Sequence, residues 1–230
     1  MLRFNSIKVA AILLGGMTFG AGATPLVTYN FGTTGQETTV ETSPAFNPTL
    51  TDPNVTATAI ADTSTKVGIE ISSAATTPVG APFNRVDPQA NATSAALAVT
   101  NGVYFSFTAT PNAAMSLTDL QFDAARGGGG TPRGYDIRSS VDNFATDLST
   151  ADLATVRPVY THVTVDLSGA AFQNLTAPVT FRFYVYSPAA GSSVDFDNVV
   201  LSGTATPEPG SLALLGLGGL ALIRRGNRRA

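Results

Sequence analysis

An all-β sandwich is the fold class that this sequence predicts, and three observations predict it. Charged residues are 13% of the 230-residue chain, while 13 of the 43 residues over 24–66 are Thr, a β-branched residue that loses rotamer freedom in a helix and fits a pleated surface. Short apolar/polar alternations follow one another along the chain. Turn signals lie between them, the pattern of an all-β sandwich.

The alternation predicts strands over 26–31, 55–61, 67–71, 95–100, 103–110, 116–123, 135–140, 161–167, 180–187 and 194–202. Asn101-Gly102, between two apolar runs, predicts a type I′ hairpin turn, which needs positive φ at both central residues. One helical turn is expected over 143–153, with Asp147 or Ser149 as its cap. The run of glycines over 127–130, followed by Thr131-Pro132, is a loop tip; it has neither the Lys of a phosphate-binding loop nor a following helix. The expected architecture is a single jelly-roll-like sandwich, with an immunoglobulin-like sandwich as the alternative.

The two ends have a different grammar. Residues 1–23 carry a basic start (Arg3, Lys8), an apolar stretch over 9–19 and the small tripeptide Ala21-Gly22-Ala23, the layout of a secretory signal peptide cut after Ala23. At the other end, Pro207-Glu208-Pro209 precedes an apolar run over 212–223 and then Arg224, Arg225, Arg228 and Arg229. As a helix the run reaches roughly 20 Å against a hydrocarbon core of about 30 Å, so its length alone leaves a buried core helix open. It lacks any polar residue, however, and ends in four arginines that act as a cytoplasmic stop-transfer signal. The prolines break any ladder or helix between body and tail. The expected division is therefore 1–23 signal peptide, 24–204 sandwich and 205–230 tail, with helices flanking the sandwich at both ends.

Pro207-Glu208-Pro209, the short Leu/Gly/Ala-rich span and the terminal arginines, in that order, resemble the PEP-CTERM sorting signal of Gram-negative bacteria. The resemblance implies that Pro207, Glu208 and Pro209 are recognised by an exosortase after signal peptidase has acted at the other end. It further implies transient anchoring in the inner membrane and delivery to the cell envelope or outer surface, often with exopolysaccharide and biofilm. The segments Tyr135-Asp136-Ile137-Arg138-Ser139-Ser140-Val141-Asp142-Asn143-Phe144 and Val194-Asp195-Phe196-Asp197-Asn198-Val199 also look like parts of jelly-roll domains that precede such tails.

Composition narrows the chemistry. The chain carries −3 overall, but six of its thirteen basic residues lie in the two ends, which leaves 7 basic against 15 acidic residues between Thr24 and Thr206. Such a body does not bind nucleic acid, which requires clustered Lys and Arg. No cysteine is present, so thiolate chemistry and disulfides are excluded. The single histidine, His162, alternates with Thr164 and Asp166 opposite Val163, Val165 and Leu167, which makes it an exposed strand residue rather than a catalytic base or zinc ligand.

Calcium suits an acidic exported domain, and Asp195, Asp197 and Asn198 are its candidate ligands, a structural cofactor at most. A stripe of Arg182, Tyr184 and Tyr186, opposite Phe181, Phe183 and Val185, is the candidate carbohydrate contact, unless the tyrosines pack beneath a covering segment with their hydroxyls paired. Glu37, Glu41, Glu70 and the aspartates scattered along the body offer no distinctive pair for glycoside hydrolysis. The expectation is a non-enzymatic, envelope-sorted surface or matrix protein. The alternatives are a carbohydrate-binding module with a defined ligand and a surface glycoside hydrolase.

Overall fold

The computed structural model of the protein describes residues 23–32, 44–62, 67–72, 83–88, 92–189 and 192–206. The signal segment up to residue 22, Pro207-Glu208-Pro209, the apolar run over 212–223 and the terminal arginines lie outside the described residues.

Two antiparallel sheets face one another. The first contains β1 (Thr24–Tyr29), β2 (Leu50–Thr51), β5 (Val67–Ser72), β6 (Phe83–Pro88), β8 (Ala114–Arg126), β11 (Thr161–Asp166) and β13 (Val194–Thr206). The second contains β3 (Val55–Ala57), β4 (Ala61–Asp62), β7 (Tyr104–Pro111), β9 (Gly134–Ser139), β10 (Ser149–Asp152) and β12 (Val179–Tyr186). From β7 onward the long strands switch sheets: β7 lies in the second, β8 in the first, β9 and β10 in the second, β11 in the first, β12 in the second and β13 in the first. This is the jelly-roll pattern, with order β11-β8-β13-β1-β2 opposite β10-β9-β12-β7-β3.

Alternation explains the core. Phe105 and Phe107 on β7, with Phe181 and Phe183 on β12, point inward and stack pairwise, Phe105 on Phe183 at 4.7 Å between centroids and Phe107 on Phe181 at 5.4 Å. The opposite sheet meets them edge-on through Phe196, 5.1 Å from Phe105, and Phe122, 5.4 Å from Phe183. All six rings are buried.

Strand β13 organises the first sheet. It pairs with β8 along its length, with β6 over Val194–Phe196, and with β1 from Val199 to Gly203. The change of partner coincides with a register shift at Asn198, whose φ of 49 marks a bulge. β13 ends at Thr206, two residues beyond the expected boundary at 204, and the next residue is Pro207.

Several sequence expectations are corrected. The strand expected over 95–100 is a helix, α1 (Ala95–Asn101), capped by Ser94 Oγ accepting from the Leu97 N–H. Asn101-Gly102 ends that helix instead of turning a hairpin, with Gly102 in the left-handed region at φ 65. The physical reason is composition: Ala95-Ala96-Leu97-Ala98 are strong helix formers, and a Gly after a helix satisfies the same positive φ as a turn. The helix expected over 143–153 is absent. A single 3₁₀ turn, Ser140–Asp142, precedes Asn143 and Phe144, both at positive φ, and β10 follows. The Asp142 carboxylate, not Asp147 or Ser149, receives the N–H groups of Ala145 and Thr146. The strand expected over 55–61 divides into β3 and β4.

Candidate functional site

The outer face of the second sheet carries the tyrosine stripe, and the structure closes it. Tyr184 and Tyr186 are 3% and 4% exposed, because α1 and the segment around it pack over β12 and β9. The Tyr186 hydroxyl donates 2.7 Å to Asp152 and lies 3.0 Å from the Ala151 carbonyl, which lets the ring lie flat across Gly134. A Cβ at Gly134 would come within 2.0 Å of the Ala151 carbonyl oxygen and 2.4 Å of the Tyr186 hydroxyl, so β9 can carry no side chain there. Tyr184 meets Tyr104 edge-on at 5.0 Å and lies 3.3 Å from an Arg182 guanidinium nitrogen.

Arg182 is itself held over the rings of Tyr104, at 4.5 Å, and Phe144, at 3.7 Å. Arg182, Tyr184 and Tyr186 are therefore corrected from an open sugar platform to a packed layer. The covering element was invisible because α1 reads as a strand. On the same face Arg138 is neutralised by the buried Asp136, at 3.1 Å, and by Asp147.

The first sheet presents a different surface at the start of β13. On β6, Val86 turns inward and Arg85 and Asp87 turn outward; on β13, Val194 and Phe196 turn inward and Asp195 turns outward beside Arg85. Arg126 closes β8, Arg133 precedes β9, Arg157 lies in the connection to β11, and Ser192 and Ser193 lead into β13. Arg85, Asp87, Gly127, Arg133, Arg157, Ser192 and Ser193 line a cleft of about 250 Å³.

The arginines here are held mostly by carbonyls. Arg133 donates to Gly130 O at 2.9 Å and Ser193 O at 2.8 Å, Arg157 to Gly127 O at 3.2 Å, and Arg126 to Ala154 O at 2.9 Å. Arg85 forms an ion pair with Glu70 at 2.5 Å. Gly127 is fixed by close approach, since a Cβ there would sit 1.7 Å from Ser193 Oγ.

Asp195 is fully buried beneath this cluster, with Arg157 Nε at 3.6 Å, longer than a hydrogen bond. Burial pushes its carboxyl up to about 6 against the pull of Arg157 and Arg85. Asp197, two residues on, faces Asp123 of β8; burial, with that neighbouring charge adding, pushes it up to about 7. Asn198 turns its amide onto Asp123 at 2.9 Å and bulges the strand.

Asp195 and Asp197 share a face as expected, but their surroundings differ and Asn198 points its amide at Asp123 rather than joining them. Among the described residues no three His, Cys, Asp or Glu side chains gather as metal ligands. His162 lies on the same face, 61% exposed, its Nδ1 2.8 Å from Asp123.

The fold and its C-terminal continuation define a class first: an exported β-sandwich protein with a sorting tail. Residues 205–229 match the PEP-CTERM protein-sorting motif. The motif marks an exported protein sorted to the cell envelope and implies processing by an exosortase. Comparison with curated proteins returns no match.

Among solved structures, the chain is similar to the arabinose-bound MgGH51 α-L-arabinofuranosidase (9% identity, 78% of this chain and 27% of that one, TM-score 0.45), of whose length it spans about a quarter. It is also similar to the CBM22-1 xylan-binding domain of Paenibacillus barcinonensis Xyn10C (9% identity, 80% and 97% covered, TM-score 0.39). A third likeness is to Caldicellulosiruptor saccharolyticus CBM27-1 in complex with mannohexaose (11% identity, 62% and 88% covered, TM-score 0.38). At such TM-scores these likenesses carry no inference about ligand.

Proposed function

We propose that this protein is a non-enzymatic, exported surface or extracellular-matrix protein, sorted through its C-terminal tail and associated with polysaccharide at the cell envelope. The observation that carries the reading is the direct join between the sorting motif at 205–229 and the central strand β13, which ends at Thr206. A folded domain hung from such a signal is delivered as a unit, and its central strand is the point of attachment. In this reading signal peptidase acts first, the apolar run over 212–223 and its arginines hold the chain transiently in the inner membrane, and an exosortase recognises Pro207-Glu208-Pro209. Biofilm or exopolysaccharide is the setting proposed.

A surface glycoside hydrolase is the alternative reading; against it, Asp195 faces arginines and Asp123, opposite Asp197, is held by Asn198 and His162. Replacement of Pro207-Glu208-Pro209 by alanines in the native host tests the proposal. Full-length protein retained in the membrane fraction is expected. Unchanged processing and surface delivery would remove the motif from the sorting step.

A further inference from the structure

We propose that the arginine cleft at the start of β13 binds a carboxylate-bearing sugar, a uronic acid residue of an acidic polysaccharide. The inference rests on the reading above only in choosing a polysaccharide as the source of the carboxylate.

Charge segregation is the first support. The body carries an excess of acidic residues, yet four of its six arginines, Arg85, Arg126, Arg133 and Arg157, gather around this one cleft. Three carboxylates accompany them, Glu70, Asp87 and Asp195; Arg85 engages Glu70 and Arg157 lies 3.6 Å from Asp195, which leaves the four arginines one charge in excess. The cleft is thus a positive spot in a negative domain, and the surrounding field turns a free anion away unless it is held here.

The second support is how the arginines are held. Arg126 and Arg133 are oriented by backbone carbonyls, which fix a guanidinium without neutralising it, and Arg157 adds a carbonyl contact to its pairing with Asp195 at 3.6 Å. Arg138, on the other sheet, shows the opposite arrangement, with two carboxylates on one arginine. Arg85 Nε, Arg126 Nε and Arg157 Nη1 are buried without an acceptor, and both oxygens of Asp195 beneath them are buried without a donor, so the cluster does not satisfy its polar groups among themselves. A carboxylate in the cleft would meet the guanidinium groups of Arg85, Arg133 and Arg157 that line it, with which it can form charge-assisted bonds.

Size and lining select the ligand further. About 250 Å³ falls below the roughly 300–1,000 Å³ typical of pockets for drug-sized molecules, which leaves room for a single sugar ring. Among the described residues the lining has no apolar side chain, so a ring would be held by its polar groups rather than by stacking. Asp87, Ser192 and Ser193 stand beside the arginines as partners for ring hydroxyls.

The test is calorimetric titration of the full chain, purified in mild detergent, with three probes: oligogalacturonate, the same oligomer with its carboxyls reduced, and inorganic phosphate. Oligogalacturonate should bind, the reduced oligomer at least tenfold more weakly, and phosphate more weakly than oligogalacturonate. Arg157→Gln should weaken binding about tenfold. Because Arg157 also anchors Gly127, Ser192→Trp serves as a second variant: it fills the cleft, keeps every arginine, and should abolish binding while leaving the melting temperature near that of the parent.

Equal binding of charged and reduced oligomers, tighter binding of phosphate as a free anion, no binding of oligogalacturonate, or full binding by Ser192→Trp would each overturn the proposal. Sorting is scored separately in cells. A protein that is sorted normally but ignores uronate removes the cleft proposal alone, and one that binds uronate but is not sorted by its tail removes only the reading above.

Discussion

The outer faces of the two sheets are both polar by strand alternation, yet one is sealed and the other is open. On the second sheet, α1 lies over Tyr184 and Tyr186, and each charged group there has its partner: Arg138 has Asp136 and Asp147, and Arg182 has two aromatic rings. On the first sheet, arginines and aspartates surround a cleft, their guanidinium groups held by carbonyls. The contrast teaches that a polar stripe on a strand says which side is not core. What lies over that stripe decides whether it is a surface, and that depends on a distant segment of the chain.

Gly134→Ala breaks the sealed face most directly. The added methyl meets the Ala151 carbonyl at 2.0 Å and the Tyr186 ring system, so unfolding stability should drop by about 3 kcal/mol, read from the urea midpoint. A drop well under that would mean that β10 can move away from β9 at low cost.

The open face is probed by pH. Asp195 and Asp197 hold their protons more tightly in the folded chain than in the unfolded one, where the ordinary value is 3.8. Groups raised in this way favour the folded state as pH falls through about 7 and about 6 toward 3.8, and that stability is lost as pH rises back through the same window. The groups facing Asp197 include Asp123, Tyr160 and, through Asp123, His162; those facing Asp195 include Arg157, Arg85, Arg133, Tyr160 and Asp87. Stability is expected to be greater at pH 5.5 than at pH 8 by about 2 kcal/mol, with Asp197→Asn removing most of the difference. A flat profile in the parent would show that Asp197 is better solvated than its position suggests.

Tyr186→Phe sharpens the comparison with a smaller change. It deletes the hydroxyl bonded to Asp152 and close to the Ala151 carbonyl while keeping the ring, and should cost about 1 kcal/mol without altering any polysaccharide binding. Reduced binding would reopen the covered face as a contact surface. The smallest effect is expected from calcium. With Asp195 turned to arginines and Asn198 bonded to Asp123, millimolar calcium should leave the melting temperature where a chelator leaves it, and a rise with calcium concentration would restore that metal.

Much of the fold was legible because its aromatic strands alternate cleanly: Phe105 and Phe107, Phe181 and Phe183, and Leu120 and Phe122 all point inward as the period of two requires. The sorting tail was legible because its meaning lies in the order of its parts. β6 was not legible, since its pattern is inverted: Asn84 lies in the core while Phe83 is buried on the outer side beneath Arg157 and Tyr160. The cleft shared that fate, because Arg85, Arg133 and Arg157 are far apart in sequence and meet only once β6, β9 and β11 are in place. One signal did exist: six arginines in an acidic body are few enough to ask what each neutralises.

β13 begins at the cleft and ends where the sorting tail begins, thirteen residues and about 40 Å later. The cleft and Thr206 therefore lie at opposite ends of one strand, and a force applied between them runs along its axis. Its hydrogen bonds to β8 on one side, and to β6 and β1 on the other, lie across that direction and must shear together rather than open one at a time. The strand that leads into the sorting motif is thus held on both sides along its length, so that a pull on it is shared by many bonds at once.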